Sequence, residues 1–164
     1  MRKIGLLSDT HAYWDERFAT YFADCDEIWH AGDIGSEELI SQFEDLGKQL
    51  RFVYGNIDSH NLRNIFPKTA LFKCENVKVF ITHIGGYPGK YATGIKTELI
   101  DCQADLFISG HSHILKVIYD KELKCLHINP GAAGKQGFHK QRTLVRFVID
   151  NKDIKDLEVI ELAK

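Results

Sequence analysis

The chain has 164 residues, of which 44% are hydrophobic and 27% are charged, so its composition excludes a disordered or a fibrous protein. This length suits a single domain, residues 1–164, with one sizeable core. The formal net charge of −2 argues against a large non-specific nucleic-acid surface, so nucleic acid is not an expected partner.

The first part of the chain alternates predicted strands and helices. The apolar run Lys3–Asp9 predicts a buried strand that ends in polar residues. It is followed by a helix over 16–25, a strand over 27–33, a helix over 36–50 that Ser36 would cap, and a strand over 51–56. Two apolar strands, 69–75 and 77–83, then flank Asn76 as in a hairpin, and a helix over 93–103 precedes a strand over 105–110.

From Leu115 onward the pattern is typical of strands alone. The predicted strands are 115–120, 123–129, 143–150 and 154–162, with turns at Asp120–Lys121 and Asn151–Lys152. An alternating start followed by a run of strands predicts an α/β fold class, with two packed mixed β-sheets flanked by helices.

No apolar run approaches the roughly 20 residues that a membrane helix needs, so no membrane partner is expected. The apolar stretch near the N-terminus breaks at Ser8 and Asp9 without a cleavage site, so it reads as a strand and the expected location is cytoplasmic. The cysteines form no C-x-x-C pair and are expected to be reduced and mostly buried; they are Cys25, Cys74, Cys102 and Cys125.

Five of the predicted strands end in a short polar signature that contains Asp, Asn or His. These signatures are Ser8–His11, Gly32–Asp33, Gly55–Asp58, Thr82–His83 and Gly110–His113. In an open α/β sheet, ligands bind outside the carboxyl ends of the strands, so five ends on one edge would bring these side chains together. Each residue taken singly is better explained as a cap, a turn residue or a packed histidine. All five together favour a metal site whose mixed ligands suit Mn, Fe, Ni or Zn better than Ca or Mg.

In this order the motifs resemble those of the calcineurin-like metallophosphoesterase superfamily, most closely its branch of small single-domain bacterial and archaeal phosphodiesterases. The loop Asn129–Gly134 also resembles a loop of that family. The resemblance implies an αββα sandwich and two divalent metal ions, with Mn first and Fe, Ni or Zn as alternatives. The implied ligands are Asp9, His11 and His113 for one ion and Asn56, His83 and His111 for the second, with Asp33 bridging them.

The resemblance also implies a phosphodiesterase that hydrolyses small phosphodiesters by metal-activated hydroxide. Two divalent ions, the carboxylates of Asp9 and Asp33 and a bridging hydroxide would leave a net charge of about +1, which can accept a phosphate anion. The residues expected to take part in catalysis are Asn56, Asp58, His83 and His111. Many members of the superfamily carry GNH before the acid, whereas this chain has Ile57, which cannot protonate a leaving group. The branch resembled here often lacks that His as well.

The alternative function is that of a protein-interaction scaffold of the same fold, like a retromer subunit with a degraded metal site. All seven implied ligand positions hold competent side chains, which favours the enzyme. The physiological substrate and any homo-oligomerisation stay open at this point.

Two further features have alternative interpretations. The segment Ile84–Gly94, with Tyr87, Lys90 and Tyr91, is either one wall of the substrate pocket or a flexible Gly-rich surface loop. Four histidines have no place in the implied ligand set. His30 and His127 lie within predicted strands and are expected to be packed or at the surface. His60 follows the Asn56 loop and is a candidate to approach the site, and His139 is the fourth.

Overall fold

A computed structural model describes all residues, 1–164, and contains twelve strands and four helices. The strands are β1 (Arg2–Leu7), β2 (Glu27–His30), β3 (Gln49–Phe52), β4 (Thr69–Cys74), β5 (Val77–Thr82), β6 (Gly86–Tyr87), β7 (Lys90–Tyr91), β8 (Leu106–Ile108), β9 (Lys116–Asp120), β10 (Cys125–Asn129), β11 (Arg142–Asp150) and β12 (Asp153–Leu162). The helices are α1 (Glu16–Tyr21), α2 (Glu37–Glu44), α3 (His60–Ile65) and α4 (Ile95–Cys102).

Ten of the strands form two mixed sheets of five strands each. The first sheet has the order β12-β11-β1-β2-β3, in which β1, β2 and β3 are parallel and β11 and β12 are antiparallel to their neighbours. The second has the order β4-β5-β8-β10-β9, with β5, β8 and β10 parallel and antiparallel strands at both edges. The remaining two strands, β6 and β7, pair as a short hairpin.

Alternate residues of the central strands are buried on opposite faces of the sheets. Leu6 and Trp29 of the first sheet face Ile108 of the second and belong to a cluster of 15 buried residues between the sheets. Leu7 packs on the opposite face of the first sheet, against α1, α2 and α3, in a second cluster of 15 residues. Phe107 packs against α4 outside the second sheet. The predicted α/β class of two packed sheets flanked by helices is therefore confirmed.

The helix predicted over 36–50 is shorter in the structure. Ser36 caps α2, because its Oγ accepts a hydrogen bond from the Leu39 amide at 3.3 Å. The helix ends at Glu44, and the chain then turns through Gly47, whose φ of +72° lies in the left-handed region that glycine adopts without strain. The next residues, from Gln49, already belong to β3.

Two elements were not predicted. The helix α3 begins after Ser59, whose hydroxyl accepts from the Leu62 amide, so the N-cap was a signal that could have identified it. The hairpin of β6 and β7 lies in the segment Ile84–Gly94, where strands of two residues are too short to produce an alternating pattern.

None of the four helices is both long enough and apolar enough to cross a membrane. All four cysteines are free thiols; Cys25, Cys74 and Cys125 are buried, and Cys102 is half-buried.

Candidate metal centre

The polar signatures at the strand ends meet at one end of the sandwich, but they come from both sheets. Three follow β1, β2 and β3 of the first sheet, and two follow β5 and β8 of the second. The expectation that all five signatures lie on the edge of one sheet is therefore wrong, because the site is formed by loops of two sheets. The side chains still converge, since ligand atoms from the loops of both sheets lie within 4.8 Å of one another.

The first group of candidate ligands is Asp9, His11 and His113, whose ligand atoms all lie within 4.8 Å of one another. The Nε2 atoms of His113 and His11 lie 3.2 Å and 3.8 Å from Oδ1 of Asp9. Asp9 is fully buried, and its other oxygen, Oδ2, accepts hydrogen bonds from the Ser8 hydroxyl at 2.6 Å and from the His111 amide at 3.1 Å. Oδ1 is thus the oxygen left to face the two imidazoles.

The second group is Asp33, His83 and His111, and Asp33 also reaches the first group. Its Oδ2 lies 3.2 Å from Nε2 of His83 and 3.4 Å from Nε2 of His11. Its Oδ1 accepts a hydrogen bond of 3.1 Å from the amide of Ile57, which fixes the plane of the carboxylate. Oδ2 therefore stands between the two groups, as a bridging ligand would.

Glycine is required where the loop after β3 approaches this carboxylate. A Cβ placed on Gly55 would lie 2.1 Å from Oδ1 of Asp33, far inside van der Waals contact. Any larger residue at this position would displace the Asp33 side chain from its place between the groups.

Three buried polar atoms of the centre have no hydrogen-bond partner. They are Oδ1 of Asp9 and the Nε2 atoms of His11 and His83. Leaving a buried polar group unpaired costs about 1–3 kcal/mol, so three of them aimed at one place call for a ligand there. A cation fits this donor set, because carboxylate oxygens and imidazole nitrogens are the ligands of transition-metal ions.

The backbone of the centre is strained at the candidate ligands. The chain has eleven non-glycine residues with positive φ, and five of them are Asp9, His11, Asp33, His111 and His113, at φ between 46° and 71°. A non-glycine residue in the left-handed region costs about 1–2 kcal/mol, although Asp and His tolerate it better than most. Backbone strain concentrated at one group of residues is typical of functional sites, where the backbone conformation orients the side chains.

The second ring nitrogen of two candidate ligands is also held in place. Nδ1 of His83 donates to the Ala31 carbonyl at 2.8 Å, so in the neutral ring Nε2 carries no proton and faces the centre. Nδ1 of His113 lies 3.2 Å from Nδ1 of His139, whose Nε2 donates to the Gly134 carbonyl at 2.9 Å. His139 is then an acceptor at Nδ1, so His113 donates its Nδ1 proton and presents an unprotonated Nε2 to Asp9.

His139 is a site residue that the sequence analysis did not identify. It lies outside any strand, five residues after the loop Asn129–Gly134, and nothing in its neighbourhood repeats the signature of a strand end. The only available signal was that this loop belongs to the motif set. In the structure, the loop's Gly134 amide donates to the Asp9 carbonyl at 3.0 Å.

The loop after β3 contributes two predicted residues with different surroundings. Oδ1 of Asn56 lies 3.1 Å from Nδ1 of His111 at the exposed rim of the centre. Asp58 is buried, and its carboxylate accepts from the amides of Gly35 and Gly55 at 2.8 Å each and from that of Ile34 at 3.1 Å. We infer that Asp58 positions the Asp33 and Asn56 loops, because its oxygens are turned to the backbone and away from the candidate ligand groups.

The carboxylates and imidazoles of the centre shift one another's pKa values. Burial disfavours the Asp9 carboxylate, but the imidazoles of His11 and His113 beside it outweigh that effect and hold the pKa of Asp9 well below its usual value. The nearby carboxylate of Asp9 raises the pKa of His11. Burial lowers the pKa of His83, yet the carboxylates of Asp33 and Asp9 outweigh that effect and raise it. Protons bound to these imidazoles must leave when a cation binds.

The remaining histidines lie outside the candidate ligand groups. His30 is fully buried, with Nδ1 accepting from the Gly32 amide and Nε2 bonded to Thr10, and burial lowers its pKa to about 3. His127 is buried in β10, where Nδ1 donates to the Phe107 carbonyl at 3.1 Å. His60 is the exposed first residue of α3 and belongs to neither ligand group.

The segment Ile84–Gly94 is an ordered hairpin beside the centre. The Ser109 hydroxyl donates to the Gly86 carbonyl at 3.0 Å, and the Tyr91 hydroxyl donates to Asp120 at 2.5 Å. Tyr87, Lys90 and Tyr91 line a cavity of about 330 Å³ that extends to His111. The segment therefore forms one wall of this cavity, which agrees with one of its two interpretations.

An αββα sandwich that gathers carboxylates and imidazoles at its strand ends defines a candidate metal-dependent hydrolase. The chain belongs to the calcineurin-like phosphoesterase superfamily, whose domain matches residues 2–152. It is 31% identical to a probable metallophosphoesterase of Methanothermobacter thermautotrophicus, over 79% of this chain and 76% of the relative. It is 30% identical to a phosphodiesterase of Methanocaldococcus jannaschii, over 79% of this chain and 82% of the relative.

Solved structures share the whole fold. An archaeal phosphodiesterase superposes with a TM-score of 0.76 at 25% identity, covering 98% of this chain and 99% of that one. A zinc complex of Vps29 from Entamoeba histolytica has the same TM-score of 0.76 at 15% identity, covering 98% of both chains. The second likeness concerns the fold alone, so the activity must be argued from the site.

Proposed function

We propose that this protein is a phosphodiesterase that uses two divalent metal ions to hydrolyse small phosphodiesters. The observation that carries the proposal is the pair of three-residue groups of candidate ligands, in which three buried ligand atoms have no hydrogen-bond partner. The named phosphodiesterase relatives give the same reaction class. Mn is the first candidate metal, with Fe, Ni and Zn as alternatives, because the ligands are nitrogen and oxygen atoms only.

Each side chain has a role that follows from its position. Asp9, His11 and His113 would hold one ion, and Asn56, His83 and His111 the other, with Asp33 shared by both. Two bound divalent ions would lower the pKa of a water molecule and offset the negative charge of the phosphoryl group. The residues of the protein hold this geometry through backbone hydrogen bonds to Asp33 and Asp58 and through the ring contacts of His83 and His113.

The leaving group has no acid among the placed residues. The side chain at position 57 is isoleucine and is 46% exposed, and Asp58 is engaged with backbone amides. His60, the one near candidate in the sequence, is exposed on α3. We therefore propose that the enzyme prefers diesters whose leaving group departs without a proton, such as phenols of low pKa.

The test joins metal analysis to activity. Purified protein is stripped with chelator, reloaded with Mn, Zn, Fe or Ni, and measured with bis(p-nitrophenyl) phosphate while bound metal is counted. Activity should reach its maximum as occupancy approaches two ions per chain. Full activity at one ion per chain would refute the dinuclear part of the proposal. No hydrolysis with two ions bound would refute the proposed phosphodiesterase activity.

The second candidate function is that of a protein-interaction scaffold, which is considered because the fold is similar to that of Vps29. A scaffold needs the fold but not the centre, so it gives no reason for the strained backbone at five candidate ligands. The scaffold is distinguished by the absence of hydrolysis of any diester, whatever number of ions is bound. The metal-loading experiment therefore separates the two functions.

A further inference from the structure

Two cavities flank the candidate metal centre and meet at Ile84 and Ala92, which line both. One has a volume of about 430 Å³ and lies beside Asn56 and His83. The other, of about 330 Å³, lies beside His111 and is called here the hairpin pocket. The side chains of the hairpin pocket that matter here are Ile84, Tyr87, Lys90, His111, Ser112 and Lys116.

The hairpin pocket is positively charged in a chain that is negative overall. It is lined by two lysines and by no Asp or Glu. Neither Lys90 nor Lys116 forms a salt bridge with a carboxylate of the chain. The nearby acid on β9, Asp120, is held by the Tyr91 hydroxyl at 2.5 Å. Two cations without a carboxylate partner beside a site for phosphoesters point to an anionic ligand.

The walls of the hairpin pocket are fixed before a ligand arrives. The Nζ of Lys116 lies 4.6 Å from the centre of the Tyr87 ring, so the aromatic face holds the ammonium group in the pocket. The Ser112 oxygen accepts from Asn129 Nδ2 at 3.1 Å and from the Ile114 amide at 3.2 Å. Its hydroxyl proton has no acceptor in the chain and can be donated to a ligand.

We propose that the hairpin pocket binds a second phosphate group of the substrate, so that the substrate is a phosphodiester with a phosphate monoester on one of its two arms. This inference rests on the proposed phosphodiesterase activity. A phosphate monoester carries close to two negative charges at neutral pH, which matches two lysines, and its oxygens accept the hydrogen bond that Ser112 offers. The larger cavity on the other side of the centre leaves room for the second arm.

The test compares two substrates with the same reacting phosphorus and the same leaving group. They are the p-nitrophenyl ester of thymidine 5′-phosphate and the same compound with a 3′-phosphate. We expect the 3′-phosphate to lower KM about tenfold, because the exposed Lys90 and the half-buried Lys116 each contribute a factor of about three. Lys90→Gln and Lys116→Gln should each remove about half of this advantage on a logarithmic scale. The control Lys73→Gln removes an exposed lysine on β4, far from the pocket, and should keep the full advantage.

A binding measurement separates this inference from the proposed activity. The Kd of thymidine 3′,5′-bisphosphate is compared with that of thymidine 5′-phosphate by calorimetry, on Mn-loaded protein and its Lys90→Gln and Lys116→Gln variants. About tenfold tighter binding of the bisphosphate, lost in the variants, supports the inference even if no ester is hydrolysed. Equal KM and equal Kd for the paired compounds, or an advantage that survives in the double variant, would overturn it while leaving phosphodiester hydrolysis intact.

Discussion

His139 gives the most specific prediction about the centre, because it touches a candidate ligand without being one. Its Nδ1 lies 3.2 Å from Nδ1 of His113, and its other nitrogen is fixed by the Gly134 carbonyl. Replacing it with phenylalanine keeps an aromatic ring of similar size but removes the acceptor. The His113 ring can then rotate or carry its proton on Nε2, which is the nitrogen that must bind metal.

The expected loss follows from that single hydrogen bond. Partners that orient a metal-bound histidine typically contribute 10–100-fold to metal affinity, or about 1.4–2.7 kcal/mol. His139 is half-buried, so we expect a value near the lower end, about tenfold, and confined to the ion held by Asp9, His11 and His113. Calorimetric titration of metal-stripped protein with Mn²⁺ should then resolve one weakened site and one unchanged site.

Two further variants make this result interpretable. His139→Gln retains an amide oxygen that can accept from His113 and should recover most of the affinity. His60→Phe replaces an exposed histidine of α3 and should leave both sites unchanged. Unchanged affinity in His139→Phe, or equal weakening of both sites, would refute the reasoning about the His113 tautomer.

Three other predictions follow from the same structure. Asp33→Ala should lower the occupancy of both ions and abolish hydrolysis, whereas His113→Ala should empty mainly one; loss of a single ion with normal turnover in Asp33→Ala would contradict the bridging role. A plot of log rate against leaving-group pKa should be steep and Ile57→His should flatten it, while a flat plot for the unmodified protein would reveal an acid not yet placed. Burial lowers the pKa of His127 to about 4 from 6.5, so protonation of the unfolded chain should cost about 1.3 kcal/mol of stability between pH 7.5 and 5.5. This is checked by urea unfolding in the presence of chelator, where the free energy of unfolding of His127→Leu should fall less between pH 7.5 and 5.5 than that of the unmodified protein. The same pH dependence in both proteins would contradict the prediction.

Much of the fold could be predicted because its strands carry a strong and repeated signal. The segments around Asn76 and around Asn151 form the expected hairpins, since apolar strands on both sides of a short turn leave the chain few alternatives. Element ends were less predictable. Within 36–50, Gly47 alone signals a break between α2 and β3, and the residues on either side of it continue the helical spacing.

The centre was predictable in part for a similar reason. Candidate ligands such as Asp9, Asp33 and His83 follow directly after parallel strands, and the topology fixes where such strands end. Contacts that depend on the path of a loop were not predictable. The pairing of His113 with His139 arises only because the chain returns to the centre after β10, and the orientation of Asp58 depends on three backbone amides that no sequence pattern reports.

The separation of core and centre explains why the fold by itself does not decide the function. The three hydrophobic clusters that hold the sandwich together contain none of the candidate ligands, which all lie in loops beyond the strand ends. A relative can therefore lose ligands without losing the sandwich, and a structural likeness extends equally to enzymes and to proteins that serve other purposes. In this chain the loops retain buried unpaired atoms and strained backbone at Asp9 and His11, features that add nothing to the stability of the apo fold. Their presence is the physical reason to propose that the chain binds metal and carries out the chemistry that depends on it.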